Sequence, residues 1–381
     1  MTSAPVATEP AAARLAATAS WDAEADDALV CLAVRQETHD VKTFVLAAPE
    51  PRRFAYAPGQ FLTFAFEVGG ETIHRCYTIS SAPTRPHALS ITVKRVLGGP
   101  VSNWLHDTLK AGDTVRALGP MGDFSCFTHP ARKYLLLSGG SGVTPMMAMA
   151  RTFHDLGEPR DVAFVHSARS PADIVFRGEL ETMARLDAGF RFHAVCEADA
   201  PDEVWTGPKG RLSLDILTQA VPDFREREVF VCGPKPYMDA VRAMLRAAGV
   251  DMARHHEESF DFGALPEADQ RAAAEAGRAL DDDAATEAVP AATVRTFRVE
   301  FAKTRRVLDC PEDSTVLDAA RKAGLRLPSS CAKGLCGTCK SKVTKGTVAM
   351  THAGGIRQRE IDAGMALLCC SKPTSDLVVE R

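Results

Sequence analysis

Near the C-terminal end of this 381-residue chain, Cys331, Cys336 and Cys339 follow one another as C-x4-C-x2-C, and 29 residues separate Cys339 from Cys369. Four thiolates so spaced are the ligand set of a plant-type [2Fe–2S] centre, which takes up and releases one electron at a time. Gly334, Gly337 and the small Thr338 let the loop close around such a cluster, with backbone N–H groups turned toward its sulfurs. Cys369 and Cys370 compete for the fourth position, and the spacing favours Cys369. Zinc is the alternative occupant, but zinc loops favour paired C-x2-C knuckles and the chain has one. Five of the eleven cysteines lie between Cys331 and Cys370, and the scattered remainder read mostly as small buried hydrophobes.

Four further clusters carry weaker signals. Leu137-Ser-Gly-Gly-Ser-Gly-Val-Thr-Pro145 joins a strand to a helix; Gly139, Gly140 and Gly142 permit close backbone approach, and the helix start offers N–H groups to a pyrophosphate. A glycine-rich turn with only a packing role reads the same way, and the G-x-G-x-x-G fingerprint is absent. Cys232-Gly233-Pro234 ends a later strand, where such sheets bind ligands; a buried cysteine at a tight turn is the plainer reading. In Arg75-Cys-Tyr77-Thr78 the Arg can grip a phosphate, the Tyr can stack on a flat heterocycle and the Thr can hydrogen-bond a ring nitrogen. Arg and Tyr alternating on a solvent face is the commoner case. Gly98-Gly99-Pro-Val101-Ser102 precedes a helical stretch, Asn103 to Leu109, that Ser102 could cap, with or without a phosphate at its N-terminus.

These groups need elements to hold them. Short β-branched and aromatic runs (Val30 to Val34, Thr43 to Leu46, Gln60 to Phe66, Cys76 to Ser80, Leu89 to Lys94), separated by Gly and Pro clusters, predict an antiparallel β-barrel or sandwich over residues 29–130. Over 131–262, strands at Tyr134 to Ser138, Val162 to His166, Phe192 to Cys196 and Val229 to Cys232 alternate with helices at Pro145 to Leu156, Glu179 to Leu186 and Pro236 to Ala248. That alternation predicts an α/β domain with a parallel sheet. Residues 263–292 are rich in Ala, Glu and Asp and read as an acidic linker. Residues 293–381 predict a small α+β domain: strands at Phe297 to Phe301 and Arg306 to Leu308, a helix near Val316 to Ala323, then the cysteine loop. Residues 1–28 read as a disordered tail lacking the basic and apolar regions of a secretory signal.

Composition narrows the classes. Hydrophobic residues are 45% and charged residues 25%, ordinary for a globular protein, and the net charge of −4 argues against nucleic-acid binding. No apolar run is long enough to span a bilayer. The expected setting is cytoplasmic, where clustered cysteines signal metal or redox chemistry rather than disulfides.

Taken in order, Arg75 to Thr78, Gly98 to Ser102, Gly119-Pro-Met-Gly-Asp-Phe124, Gly139 to Pro145, Cys232 to Pro234, Glu258-Ser-Phe260 and the cysteine loop resemble the ferredoxin–NADP⁺ reductase superfamily fused to a plant-type ferredoxin. The resemblance runs from about Leu29 to Arg381 and implies a flavin barrel, a nicotinamide domain and a β-grasp ferredoxin domain. It further implies that Arg75 binds the flavin phosphate, that Tyr77 stacks on the isoalloxazine and that Thr78, in place of the usual Ser, sits near N5. Gly99, Val101 and Ser102 would meet the flavin pyrophosphate. Gly140, Thr144, Cys232 and Gly233 would line the nicotinamide site, with Glu258 and Phe260 closing the flavin face. The implied cofactors are FAD (FMN as alternative), NADH (NADPH as alternative) and a [2Fe–2S] cluster.

The order flavin, nicotinamide, iron–sulfur resembles phthalate-dioxygenase-type reductases and hybrid-cluster-protein reductases. His166-Ser-Ala-Arg-Ser-Pro-Ala-Asp-Ile174 and Val101-Ser-Asn-Trp-Leu-His106 are most similar to the glycine betaine monooxygenase reductase family. The implied activity is a reductase passing electrons from NADH through flavin and cluster to a Rieske-type oxygenase that demethylates a quaternary ammonium compound. The competing classes are a reductase for a hybrid-cluster or cytochrome acceptor and a carrier with an inactive flavin site. Residues 291–381 hold 16 Lys and Arg against 9 Asp and Glu, a net +7, while 263–290 hold 2 against 7, a net −5. Lys333, Lys340, Lys342 and Lys345 flank the cluster loop, which suggests docking on an acidic partner surface; a solvated basic face is the alternative.

Overall fold

The computed structural model describes residues 18–260, 295–325, 327, 329 and 334–381. The chain forms two compact units, ending and beginning at Phe260 and Asp261. Cys331, Lys333 and the acidic segment 263–292 lie outside the described residues.

The first unit opens with a six-stranded antiparallel sheet: β1 (Ala28–Thr38), β2 (Val41–Ala47), β3 (Phe61–Val68), β4 (Glu71–Thr78), β5 (Leu89–Lys94) and β6 (Thr114–Met121), in the order β4-β3-β6-β1-β2-β5. A bridge between Ile79 and Ile91 joins the two edges and makes it a barrel, around Phe44, Leu46, Leu62, Phe64, Phe66 and Ile91. β4 begins and ends earlier than the predicted Cys76 to Ser80, because the β3–β4 hairpin turns on Gly69 (φ 61°) and Gly70 (φ 81°), conformations that glycine adopts without strain. The tail predicted for 1–28 is in part packed. Trp21, the one aromatic side chain in that stretch, is 9% exposed against Phe54 (ring centroids 5.1 Å apart), and its indole N–H donates to the Gly119 carbonyl at 2.9 Å.

The barrel leads into a five-stranded parallel sheet, β7 (Lys133–Gly139), β8 (Asp161–Ala168), β9 (Phe190–Cys196), β10 (Glu228–Gly233) and β11 (His255–Ser259), ordered β11-β10-β7-β8-β9. Its three central strands, β10, β7 and β8, are mostly apolar and buried, as strands covered on both faces require, while the edge strand β11 is polar. One face buries Met146, Met149 and Phe153 of α2 (Val143–Leu156) with Leu180 and Met183 of α3 (Arg177–Leu186). The other buries Leu217 of α4 (Leu214–Ala220) with Met238, Val241 and Leu245 of α5 (Lys235–Ala247). The order of winding reverses between β7 and β10, which puts a ligand crevice beyond their C-terminal ends.

Arg227, just before β10, is 0% exposed and holds Asp161 at 2.8 Å and Asp223 at 2.9 Å. Burial pushes the Asp223 carboxyl up, but the bonds from Arg227 and Lys133 outweigh it and hold it down at about 2. Arg227→Ala removes the buried partner that Asp161 and Asp223 share at the base of the sheet, leaving them only the more exposed Arg191 at 2.7 Å and Lys133 at 2.9 Å. We expect a loss of roughly 3 kcal/mol, the lower end for a buried pair because Asp161 remains 39% exposed. Urea unfolding measures it, and a change below about 0.5 kcal/mol, as for an ordinary surface substitution, would contradict the assignment.

The second unit carries a five-stranded mixed sheet, β13-β12-β18-β14-β16, from β12 (Thr296–Phe301), β13 (Arg306–Pro311), β14 (Lys340–Lys345), β16 (Met365–Leu367) and β18 (Leu377–Val379). The pair β15 (Val348–Met350) and β17 (Ser371–Pro373) completes it. Helix α6 (Val316–Lys322) caps on Thr315 and buries Val316, Leu317 and Ala320 beside Val299 and Phe301. The short α7 (Gln358–Asp362) brings Glu360 to Lys340 at 2.7 Å. Lys340 is therefore 5% exposed and paired, and is removed from the basic face expected around the cluster loop; Lys342 and Lys345 are exposed.

Candidate active site and cluster loop

Each predicted motif falls at the end of an element. Strand β4 alternates Arg75 and Tyr77 on one face with Cys76 and Thr78 on the other. Tyr77 stands against Phe64 (6.1 Å) and Phe66 (6.3 Å), and Trp104 of α1 (Pro100–Asp107) packs on the same Phe66 at 5.6 Å. Tyr77 is thus brought, through Phe66, near the helix that follows the Gly98-Gly99 turn. Arg75 donates to the His74 carbonyl at 2.8 Å.

Ser102 is not the cap of α1. Gly99 is the N-cap and Pro100 the first helical residue, a position where proline's missing N–H costs nothing. Ser102 lies one turn inside, and its hydroxyl accepts from the Val96 N–H at 3.1 Å and bonds the Gly99 carbonyl at 3.3 Å. It braces the turn, and a Cβ on Gly99 would meet its oxygen at 2.8 Å. Val101 is 2% exposed, its side chain in the barrel core, so only its backbone can face a ligand.

The nucleotide crevice is built by steric necessity. A Cβ on Gly142 would sit 2.2 Å from the Cys232 carbonyl oxygen, so the turn after β7 closes on the end of β10 only with glycine there. Gly140 takes φ 52°, and Thr144, 3% exposed, donates to the Ser141 carbonyl at 3.2 Å. The cleft beyond them measures about 320 Å³ and is lined by Gly139, Gly140, Ser167, Arg169, Asp173 and Tyr237 among others. The Tyr237 ring lies over Gly139 and Gly233, and its hydroxyl and that of Ser167 are buried there without a hydrogen-bond partner at normal length. Neither residue was singled out from the sequence.

Strand register aligns groups that sequence separation hides. Glu258 of β11 stands opposite Cys232 of β10, Cys232 opposite Ser138 of β7, and Ser138 opposite His166 of β8. Ser138 and His166 are both 0% exposed and bonded at 2.8 Å, and burial holds the imidazole down at about 4. Cys232 is 0% exposed; burial first, then the neighbouring Glu258 charge, push its thiol up.

Burial pushes the Glu258 carboxyl up to about 8, against a lowering hydrogen bond from Thr78. Its Oε2 is buried with no hydrogen-bond partner. Barrel and sheet therefore meet at Thr78 and Glu258, where burial favours the protonated carboxyl and one of its oxygens is left open. Arg151 of α2 fixes the junction: it donates to the Ser80 carbonyl at 2.6 Å, clasps Glu179 at 2.8 and 2.6 Å, and lies 4.6 Å over the Phe176 ring. Phe260 packs on the sheet's core cluster.

In the second unit Cys336 and Cys339 are each 3% exposed and Cys369 7%. Cys369 Sγ accepts from the Gly334 N–H at 3.3 Å, and Cys336 Sγ bonds Thr338 Oγ1 at 3.2 Å. The hydrogen bond from Cys369, then burial, push the Cys339 thiol up. Crowded, buried thiols with a backbone N–H aimed at sulfur are the donor set an iron–sulfur cluster takes up as thiolates. Cys370 instead turns its Sγ toward the Leu367 carbonyl at 3.5 Å.

Three family models match in chain order: an oxidoreductase FAD-binding domain over residues 30–126, an oxidoreductase NAD-binding domain over 136–243 and a 2Fe-2S iron-sulfur cluster binding domain over 299–374. The chain is 47% identical to the glycine betaine monooxygenase reductase subunit of Pseudomonas aeruginosa, covering 92% of this chain and 94% of that one. It is 41% identical to the stachydrine N-demethylase reductase subunit of Rhizobium meliloti, covering 92% and 96%. Among solved structures, phthalate dioxygenase reductase shares the fold, with a TM-score of 0.55 at 23% identity over 93% of this chain and 97% of that one. The chain belongs to the family of NAD(P)H-dependent flavin and [2Fe–2S] oxidoreductases that includes the glycine betaine monooxygenase reductase subunits.

Proposed function

We propose that this chain is the reductase component of a Rieske-type oxygenase that demethylates glycine betaine or another quaternary ammonium compound. The observation that carries the reading is the 47% identity to a glycine betaine monooxygenase reductase subunit over 92% of the chain. A flavin and a cluster held by these residues would convert the two electrons of a nicotinamide's hydride into single electrons for a protein acceptor.

The residues divide the work. Arg75, Gly99, Ser102 and the Val101 backbone hold the flavin's phosphates, Tyr77 backs its ring, and Thr78 lies at its reactive edge. Gly140, Thr144, Cys232 and Gly233 shape the nicotinamide pocket. Glu258 keeps a proton beside Thr78 and Phe260 covers the face. Cys331, Cys336, Cys339 and Cys369 hold the iron. NADH is the fitting donor because the cations beside the β8 end of the cleft are already paired: Lys94 with Asp40 at 3.1 Å and Arg169 with Asp173 at 2.6 Å. A 2′-phosphate would find balanced charge rather than an open cation. Exposed Lys342 and Lys345 give the oxygenase a basic face to dock on.

The experiment combines the purified chain with a candidate Rieske-type oxygenase, NADH and glycine betaine or stachydrine. NADH oxidation coupled to demethylation of one of them supports the reading. NADH oxidation that reduces cytochrome c but never the oxygenase's iron contradicts it.

A further inference from the structure

Away from the crevice, at the opposite ends of β10 and β11, three side chains converge that none of the chemistry above uses. Glu228 opens β10 and His256 lies on β11, paired in register with Phe230 two residues further along β10. The two-residue alternation of a strand therefore puts Glu228 and His256 on one face. His256 Nε2 meets Glu228 Oε1 at 2.6 Å, with side chains 15% and 14% exposed. His129, from the segment joining barrel to sheet, stacks on His256 with ring centroids 3.6 Å apart and planes 22° from parallel.

From this geometry we propose that His129, Glu228 and His256 bind a divalent transition-metal cation, zinc being the best match. The three side chains each offer one ligand atom, and those atoms lie within 4.8 Å of one another. Two imidazoles and a carboxylate are a three-ligand zinc donor set that leaves a fourth position for water.

The surroundings favour it. Phe230 floors the cluster at 5.0 Å from His256 and 6.1 Å from His129, and a low-dielectric floor strengthens binding of a cation by a carboxylate. The His129 loop is held in place: the His129 carbonyl accepts from the Tyr134 hydroxyl at 3.3 Å, the Ala131 N–H donates to that hydroxyl at 2.7 Å, and the Thr128 hydroxyl donates to the Ser125 carbonyl at 2.7 Å. A proton now bridges His256 and Glu228. When a metal ion takes its place, that proton moves to His256 Nδ1, which leaves Nε2 free as a neutral ligand, and the His129 ring, on its loop, turns out of the stack to aim its nitrogen at the ion. The cation thereby ties the barrel-to-sheet connection to the edge of the sheet.

The test is equilibrium dialysis of the holoprotein against zinc sulfate, with zinc counted per chain beside iron and flavin. Wild type should retain one zinc and show a higher unfolding midpoint with zinc than without. His129→Asn and His256→Asn should retain none, and Glu228→Gln should bind at least tenfold more weakly, with iron, flavin and ferricyanide reduction unchanged. No zinc on wild type, or equal zinc on wild type and both His variants, overturns the proposal. If His256→Asn loses flavin and is misfolded, His129→Asn, which breaks no ion pair, decides alone.

Discussion

Replacing Cys336 with Ser leaves a protein that still reduces ferricyanide with NADH but no longer delivers electrons to a protein acceptor. Cys336 is 3% exposed in a loop where Gly334 (φ 70°) and Gly337 (φ 71°) hold the backbone tight. A serine oxygen is a poor substitute for a thiolate on iron, so the cluster and its visible absorbance should be lost. The flavin and nicotinamide sites lie in the other compact unit and should keep their occupancy. Cys369→Ser should behave in the same way, because its sulfur accepts the Gly334 N–H. Cys370→Ser should keep full iron content, since its thiol turns toward the Leu367 carbonyl. Iron analysis with the two acceptor assays checks this. Iron lost from the Cys370 variant and kept in the Cys369 variant would reverse the ligand assignment.

Glu258→Gln separates the proton's role from the fold. The amide keeps the shape and a hydrogen bond to Thr78 but cannot gain or lose a proton. NADH:ferricyanide turnover should fall by about 10²-fold, the lower end for a positioned acid–base group. Stability should move the other way. The carboxyl titrates near 4.5 when unfolded and at about 8 when folded. The wild type therefore has its full stability below the unfolded value and loses it as pH rises toward the folded one. The Gln variant should match wild type in unfolding midpoint near pH 4.5 and exceed it at pH 8, by on the order of 3 kcal/mol. An unchanged turnover removes Glu258 from the chemistry; an unchanged midpoint at pH 8 removes its buried proton.

The local signals were readable because they are local. Glycine spacing, the Cys232-Gly-Pro turn and the cysteine loop each need only neighbours in sequence; the first two stand where a strand ends, and the last runs into the start of β14. The misplacement of Ser102 was avoidable: Gly98-Gly99-Pro100 marks proline at the first helical position more strongly than serine marks a cap. Trp21 could have been read as an anchor in its acidic, Ala-rich stretch. Other features had no local signature. The row from Glu258 through Cys232 and Ser138 to His166 depends on the register of four strands drawn from positions 138 to 258. Lys340 counts as one more positive charge until α7 places Glu360 against it, 20 residues away. The barrel's closure at Ile79 and Ile91 is likewise set by topology, not by either segment alone.

The central claim is that electrons enter as a pair from NADH and leave singly through iron within this one chain. Anaerobic titration of the purified holoprotein with NADH, followed by absorbance and low-temperature electron paramagnetic resonance, tests it most directly. The account predicts that the flavin and iron–sulfur bands bleach together and that a rhombic signal from the reduced cluster grows with added NADH. Bleaching of neither band, with no such signal, would contradict it.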